Sequence, residues 1–170
     1  MAMKMLARMA MLSCGAICLS ATTGVAADGV HCQQVGGGVL TNFLQPTNPA
    51  CAASFQNLCT AGTTTGDLRG GVGVSVQSIS GNVFHVQHHW VTETGDTIFV
   101  KDAFLTTFPT SDPNRVLADY LKGVEITGGT GRFEGATGLL SSVFGAADLK
   151  LGQITLRYAG TVCFALVKPE

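Results

Sequence analysis

Two side chains of the sequence, Asp102 and His88, have the chemistry of a general acid and a general base. Each lies in a stretch in which apolar residues alternate with other residues. A carboxylate and an imidazole that share an apolar cavity shift each other's pKa, as proton transfer requires. We therefore take Asp102 and His88 as candidate catalytic residues. The alternatives are a structural pair, or a bulge that turns the two side chains outward.

Aromatic side chains on the same stretches could contact a small apolar ligand. Trp and Tyr combine a large apolar surface with one hydrogen-bonding group, which suits a cyclic or polyene ligand. The candidate ligand-binding residues are Trp90, Tyr120, Tyr158, Phe84 and Phe104.

Neither a metal nor a cofactor is expected. His85 and His89 would share one face of a strand but lie about 13 Å apart, while His88 would face the other way. The run Gly128-Gly129-Thr130-Gly131 looks like a dinucleotide-binding loop, but such a loop opens a helix within a β-α-β unit. Here it leads into a Gly- and Ser-rich strand pattern, which favours a tight connection between strands with Phe133 under the barrel end.

The N-terminal residues 1–27 have the pattern of an export signal. Lys4 and Arg8 precede an apolar run, and Val25-Ala26-Ala27 offers the small residues of a cleavage site. The apolar run is about half the roughly 20 residues that cross a bilayer. We therefore expect a secreted or periplasmic protein with no membrane anchor after cleavage.

Four cysteines remain after that segment, and an oxidising compartment makes two disulfides the expected use of them. One pairing joins Cys51 to Cys59 across a short loop and Cys32 to Cys163. The rival pairing joins Cys32 to Cys51 and Cys59 to Cys163. We favour the first, but spacing leaves both open.

Short stretches rich in Val, Ile, Thr and Phe alternate with Gly, Asn and Asp turns, which predicts an all-β domain. The predicted strands are 58–65, 68–79, 83–93, 96–108, 116–127, 137–147 and 153–164. Residues 28–57 are predicted to be a cover segment pinned by disulfides, in which 32–40 could supply an eighth strand. Residues 58–170 would form the barrel domain.

Period-2 alternation assigns one apolar face to most of these strands. Phe84, His88 and Trp90 fall on one such face, and Tyr158 falls on another with Leu156. One apolar face on each of seven or eight strands favours a sheet closed into a barrel, with a sandwich as the alternative.

Charge excludes some classes of partner. The chain has 11 acidic and 10 basic residues, and two of the basic residues lie in the export segment. Because no basic run could neutralise phosphates, neither nucleic acid nor an anionic membrane surface is an expected partner.

The run from Gly128 to Gly138, with the pattern Gly-Gly-Thr-Gly-x-Phe-x-x-Ala-x-Gly, resembles a connection between late strands in the allene oxide cyclase and dirigent barrels. The stretches 58–70 and 101–103 resemble earlier strand motifs of small exported bacterial members. The resemblance implies an eight-stranded antiparallel up-and-down barrel with a mostly apolar lumen, and a homodimer or homotrimer. No residue role is carried over from that family.

Two functions are compatible with these residues. The favoured one is a non-catalytic exported barrel that binds a small apolar molecule or acts as an interaction module. The alternative is a cyclase- or isomerase-like enzyme that uses Asp102 and His88 for proton transfer. A binding function requires free space in the lumen. The enzymatic function requires Asp102 and His88 to reach the same cavity.

Overall fold

A computed structural model describes residues 29–165 of the chain. The predicted export signal, residues 1–27, lies outside the described residues, as do the last five residues of the chain. Within the described part, no helix has the length and apolar character needed to cross a membrane.

The described chain is built from β-strands joined by turns and single 3-10 turns. The strands are Val30–Phe43 (β1), Cys59–Thr64 (β2), Gly70–Ser80 (β3), Val83–Thr92 (β4), Thr97–Val100 (β5), Ala103–Pro109 (β6), Arg115–Asp119 (β7), Val124–Gly129 (β8), Thr137–Asp148 (β9) and Gln153–Ala165 (β10). The seven strands predicted from the alternation pattern are all present, two of them interrupted. The 3-10 turns are Pro49–Cys51, Phe55–Asn57, Gly66–Leu68 and Gly131–Phe133.

All the strands belong to one antiparallel sheet that closes on itself. The interrupted pair β5 and β6 occupies a single position between β4 and the interrupted pair β7 and β8. β9 then pairs with β7, β8 and β10. β10 in turn pairs with β1 from Val30↔Ala165 to Asn42↔Gln153. Counting each interrupted pair once gives the eight-stranded up-and-down barrel, and the sandwich alternative is excluded.

The predicted boundary between a cover segment and the barrel is in the wrong place. Residues 30–43 form β1, a full barrel strand that pairs with both β10 and β2. Of the predicted cover segment, the stretch between Phe43 and Cys59 lies outside the strands, and it connects β1 to β2. The barrel therefore begins near Val30 rather than at residue 58.

Two disulfides form, and their connectivity is the favoured one. Cys32 and Cys163 are direct cross-strand partners, and their bond joins β1 to β10. Cys51 and Cys59 join the segment before β2 to the start of that strand. The first bond ties together the two ends of the described chain, and the second fixes the segment between β1 and β2 to the start of β2.

One end of the barrel is closed by the connection between β8 and β9. Phe133 lies in the 3-10 turn of this connection, is fully buried, and packs against Phe164 with ring centroids 5.5 Å apart. Gly131 opens the turn at φ +55°, and a Cβ there would collide with the Asp96 carboxylate. The glycine run is therefore a tight strand connection that seats Phe133, as the sequence predicted.

Hydrogen bonds brace the same end. The Tyr158 hydroxyl donates to the Thr65 carbonyl at 2.7 Å and accepts from the Leu68 N–H at 2.9 Å. The Trp90 indole N–H donates to the Leu68 carbonyl at 3.0 Å. The closed end is thus held by buried polar contacts as well as by apolar packing.

Candidate functional site

The opposite end of the barrel opens into an apolar cavity of about 110 Å³, which we call the mouth chamber. It lies between the β3–β4, β6–β7 and β9–β10 turns and the segment that precedes β2. Its polar groups are the hydroxyls of three threonines and Tyr120, and none of its lining residues is charged. The lining residues are Val39, Thr41, Phe43, Leu58, Thr60, Val74, Val76, Phe84, Val86, Leu105, Thr107, Val116, Ala118, Tyr120, Ala147, Leu149, Ile154 and Leu156.

A second, smaller cavity of about 30 Å³ lies deeper in the lumen, and we call it the inner chamber. Val39, Val74, Tyr120 and Leu156 line both chambers. Three polar side chains that do not line the mouth chamber line the inner one, namely His88, Trp90 and Tyr158. Its lining residues are Val39, Val72, Val74, His88, Trp90, Tyr120, Val124, Leu140, Val143, Leu156 and Tyr158.

His88 and Tyr120 form a hydrogen-bonded pair inside the barrel. The His88 Nε2 and the Tyr120 hydroxyl lie 2.9 Å apart. The His88 Nδ1 is buried and has no hydrogen-bond partner among the described residues. His88 faces inward because it lies two residues from the buried Val86 and Trp90 on β4, as the period-2 pattern predicted. Tyr120 directly follows β7 and lies two residues after the buried Ala118.

Burial keeps both members of this pair neutral. The pKa of His88 is lowered to about 4, chiefly because burial disfavours the charged imidazole; the nearby His89 also lowers it, and the Asp102 carboxylate partly offsets these effects. Burial also raises the pKa of Tyr120 above its ordinary value. At neutral pH the pair is an imidazole and a phenol, so the lumen keeps hydrogen-bonding groups without a net charge.

Four of the five aromatic residues predicted to contact a ligand line the lumen. Phe84 and Tyr120 line the mouth chamber, and Trp90, Tyr120 and Tyr158 line the inner chamber. Trp90 and Tyr158 meet edge to face, with centroids 5.6 Å apart. Burial raises the pKa of the Tyr158 hydroxyl, which is occupied in bracing the closed end.

The predicted pairing of Asp102 with His88 is wrong, and so is the inward placement of Phe104. Asp102 lies on the outside, with its Oδ2 3.2 Å from the His85 Nε2. Phe104 is 54% exposed and stacks on the His85 ring at 5.0 Å. His88 is inside, so the barrel wall separates it from Asp102.

Asp102 and Phe104 face outward because the strand is interrupted between β5 and β6. Ile98 and Ala103 are both buried, although strict alternation would place them on opposite faces. At Lys101 and Asp102 the chain leaves its pairing with β8 and begins to pair with β7. This break shifts the alternation by one residue, so residues after it face the opposite way from the prediction.

The sequence pattern did not predict the alanine and threonine residues that line the mouth chamber. Ala118 and Ala147 line it where larger side chains would fill it, and Thr41 and Thr60 supply part of its wall. Ala118 lies on the same face of β7 as Val116, which marks it as inward, but its small side chain does not indicate that a cavity is present. Thr41 could have been found only by recognising β1 as a barrel strand.

Among residues 29–165, no three His, Cys, Asp or Glu side chains come together in a way that could hold a metal ion. In particular, His85, His88 and His89 do not converge, since His88 faces the lumen and His85 contacts Asp102 outside.

Comparisons with known proteins found a similar chain only among solved structures. No protein-family model matches the chain, and no curated protein matches it. Among solved structures, one similar chain is the dirigent protein pterocarpan synthase, with 10% sequence identity and a TM-score of 0.33. The match covers 83% of this chain and 89% of that one.

Proposed function

We propose that the protein binds a small, uncharged apolar molecule in the lumen of the barrel and does not transform it. The observation that carries the proposal is the mouth chamber, a cavity lined by uncharged side chains at the open end of a barrel whose other end is closed by Phe133. Concave, mostly apolar pockets with a few hydrogen-bonding groups are typical of small-molecule sites.

The size and chemistry of the chamber restrict the ligand. A cavity of about 150 Å³ holds benzene, and the mouth chamber has about 110 Å³. We therefore expect a single ring, a short chain, or one end of a longer molecule that enters through the mouth. Since an ion buried without a partner is strongly destabilised, carboxylates and ammonium ions should bind poorly.

We propose that the protein acts outside the cytoplasm. The export-signal pattern of residues 1–27 and two disulfides support a secreted or periplasmic protein. A carrier or scavenger of an apolar compound outside the cytoplasm is the role that fits this location.

A cyclase or isomerase that pairs Asp102 with His88 needs both side chains in one cavity. The barrel wall separates them, and the described residues that line the two chambers include no carboxylate. We therefore do not propose proton transfer by this pair.

The proposal can be tested by calorimetric titration of the disulfide-bonded protein with benzene, indole, benzoate and benzylamine. We expect saturable binding of the neutral compounds and at least tenfold weaker binding of the charged ones. Ala147→Leu and Ala118→Leu place a larger side chain in the mouth chamber and should weaken neutral binding at least tenfold.

Ala61→Leu is the matched control, since Ala61 lies exposed on β2 outside the lumen. This variant should bind as the unmodified protein does. Absence of saturable binding for every neutral compound, or equal affinity in the Ala147→Leu and Ala61→Leu variants, would overturn the proposal.

A further inference from the structure

The outer side of the barrel carries an apolar row that crosses β1, β10, β9, β7 and β6. Cross-strand pairing places these outward side chains side by side in the order Leu40, Thr155, Ala146, Leu117 and Phe108. Leu40 is 43% exposed, Leu117 49% and Phe108 39%. A row of mostly apolar, exposed side chains that crosses five neighbouring strands is typical of an interaction surface.

The neighbouring row has an apolar centre with opposite charges on either side. Phe144 of β9 is 51% exposed, with Arg157 of β10 on one side and Asp119 of β7 on the other. Among the described residues, neither Arg157 nor Asp119 makes an ion pair, and strand spacing separates them by about 10 Å. We call these two rows together the β9 face.

The charges of the β9 face are arranged so that it complements itself. A two-fold axis that runs along β9, in the plane between two such faces, exchanges the two sides of that strand. It therefore places Arg157 of one copy opposite Asp119 of the other, twice in each dimer. The same operation places Leu40 opposite Phe108, and Thr155 opposite Leu117.

The axis lies along β9, so the Phe144 rings of the two copies meet at the centre of the interface. A depression of about 310 Å³ on the outer surface is lined by Leu117, Phe144, Ala146 and Arg157, among others. Its floor is formed by small residues of β9, so no bulky side chain of that strand holds the two faces apart next to Phe144. The same apolar groups of both copies therefore meet about one axis, as in an isologous interface.

We propose that the β9 face is the interface of a two-fold symmetric homodimer. Its occupant is a second copy of this chain, aligned strand to strand, with Phe144 at the centre and Arg157–Asp119 pairs on both sides. An apolar partner without charges would leave Arg157 and Asp119 unpaired, and an anionic partner would leave Asp119 facing like charge.

Charge exchange tests the proposal directly. Asp119→Arg places two arginines opposite each other, and Arg157→Asp places two aspartates opposite each other. Each single variant should raise the dimer dissociation constant at least tenfold, as measured by sedimentation equilibrium of the full disulfide-bonded protein. Glu134→Arg is the control for added charge, because Glu134 is exposed at the closed end and away from this face.

Mixing the two variants separates a lost interface from a lost fold. In a mixed dimer, Arg157 of one chain meets Asp119 of the other, while the introduced arginine meets the introduced aspartate. We therefore expect a one-to-one heterodimer, seen as a distinct mass by native mass spectrometry. The double variant Asp119→Arg/Arg157→Asp should recover the homodimer.

Three results would overturn the proposal. They are a monomeric or trimeric unmodified protein at about 10 μM, a dimer that both charge substitutions leave intact, and folded single variants that do not pair when mixed. Near-ultraviolet circular dichroism of each variant shows whether it is folded.

Discussion

His88 is held in its neutral form by its position inside the barrel wall. Burial takes the imidazole away from water, so the pKa falls to about 4. The ring shares a hydrogen bond of 2.9 Å with Tyr120. A neutral pair at this point lets the lumen accept an uncharged molecule without leaving a buried ion beside it.

The low pKa of His88 predicts how stability depends on pH. Between about pH 6.5 and pH 4 the unfolded chain binds a proton at His88 that the folded protein does not bind, so stability falls as pH falls. His88→Gln keeps a hydrogen-bonding group next to Tyr120 and removes the titration. Compared with this variant, the unmodified protein should lose about 2 to 3 kcal/mol more between about pH 7 and pH 4.5.

Urea unfolding at the two pH values provides the measurement, with His85→Gln as the control. His85 lies outside the lumen beside Asp102, so its variant should keep the extra loss that His88 causes. Equal losses in the unmodified protein and in His88→Gln would contradict the account of His88.

At the level of single residues, alternation predicts orientation only as far as the strand is uninterrupted. Phe84, His88 and Trp90 of β4 face the lumen as predicted, because no break occurs between them. Asp102 and Phe104 face outward because the break between β5 and β6 shifts the period. Such a break depends on which neighbouring strand accepts the hydrogen bonds, and that is a property of the assembled sheet.

At the level of elements, β1 shows why a barrel strand can look like a loop. Its central residues Gly36-Gly37-Gly38 have a low preference for β-strands, so the sequence pattern predicted a cover segment here. In the fold, Gly37 lies so close to Thr65 and the Tyr158 hydroxyl that a Cβ would collide with both. The glycine is required by a contact between residues far apart in sequence, which the pattern of β1 does not contain.

The other strands were predictable because their turns carry local signals. Gly81 and Gly95 adopt positive φ in the turns after β3 and β4, as turn residues of those types do. The strand ends therefore lie within a few residues of the predicted bounds. Barrel closure, by contrast, depends on the pairing of β1 with β10.

The two disulfides should contribute unequally to stability. The Cys32–Cys163 bond closes a loop with a sequence separation of 131, and Cys51–Cys59 one of 8. Chain entropy then predicts a loss of about 5 kcal/mol for Cys32→Ala/Cys163→Ala and about 2.5 kcal/mol for Cys51→Ala/Cys59→Ala.

Chemical unfolding of both double variants measures this difference. Hydrogen exchange adds a second observable, since loss of Cys51–Cys59 should raise exchange mainly between β1 and β2 at the mouth. A larger destabilisation from the Cys51–Cys59 variant than from the Cys32–Cys163 variant would contradict this description of what each bond constrains.

At the level of the whole molecule, the barrel combines a closed end, an uncharged lumen and an open mouth. The sequence predicted the apolar lumen because each strand carries one apolar face. It could not predict that space remains, since free volume depends on how side chains from all the strands pack together. Small residues such as Ala118 and Ala147 leave the space where their strands meet the other walls.

The central claim is that this space holds a small apolar molecule. Native mass spectrometry of the protein purified from its natural source, before and after extraction with organic solvent, tests the claim most directly. We predict an added small-molecule mass that solvent removes and that Ala147→Leu lacks. A protein that carries no added mass before extraction, and that takes up no neutral apolar compound afterwards, would contradict the account.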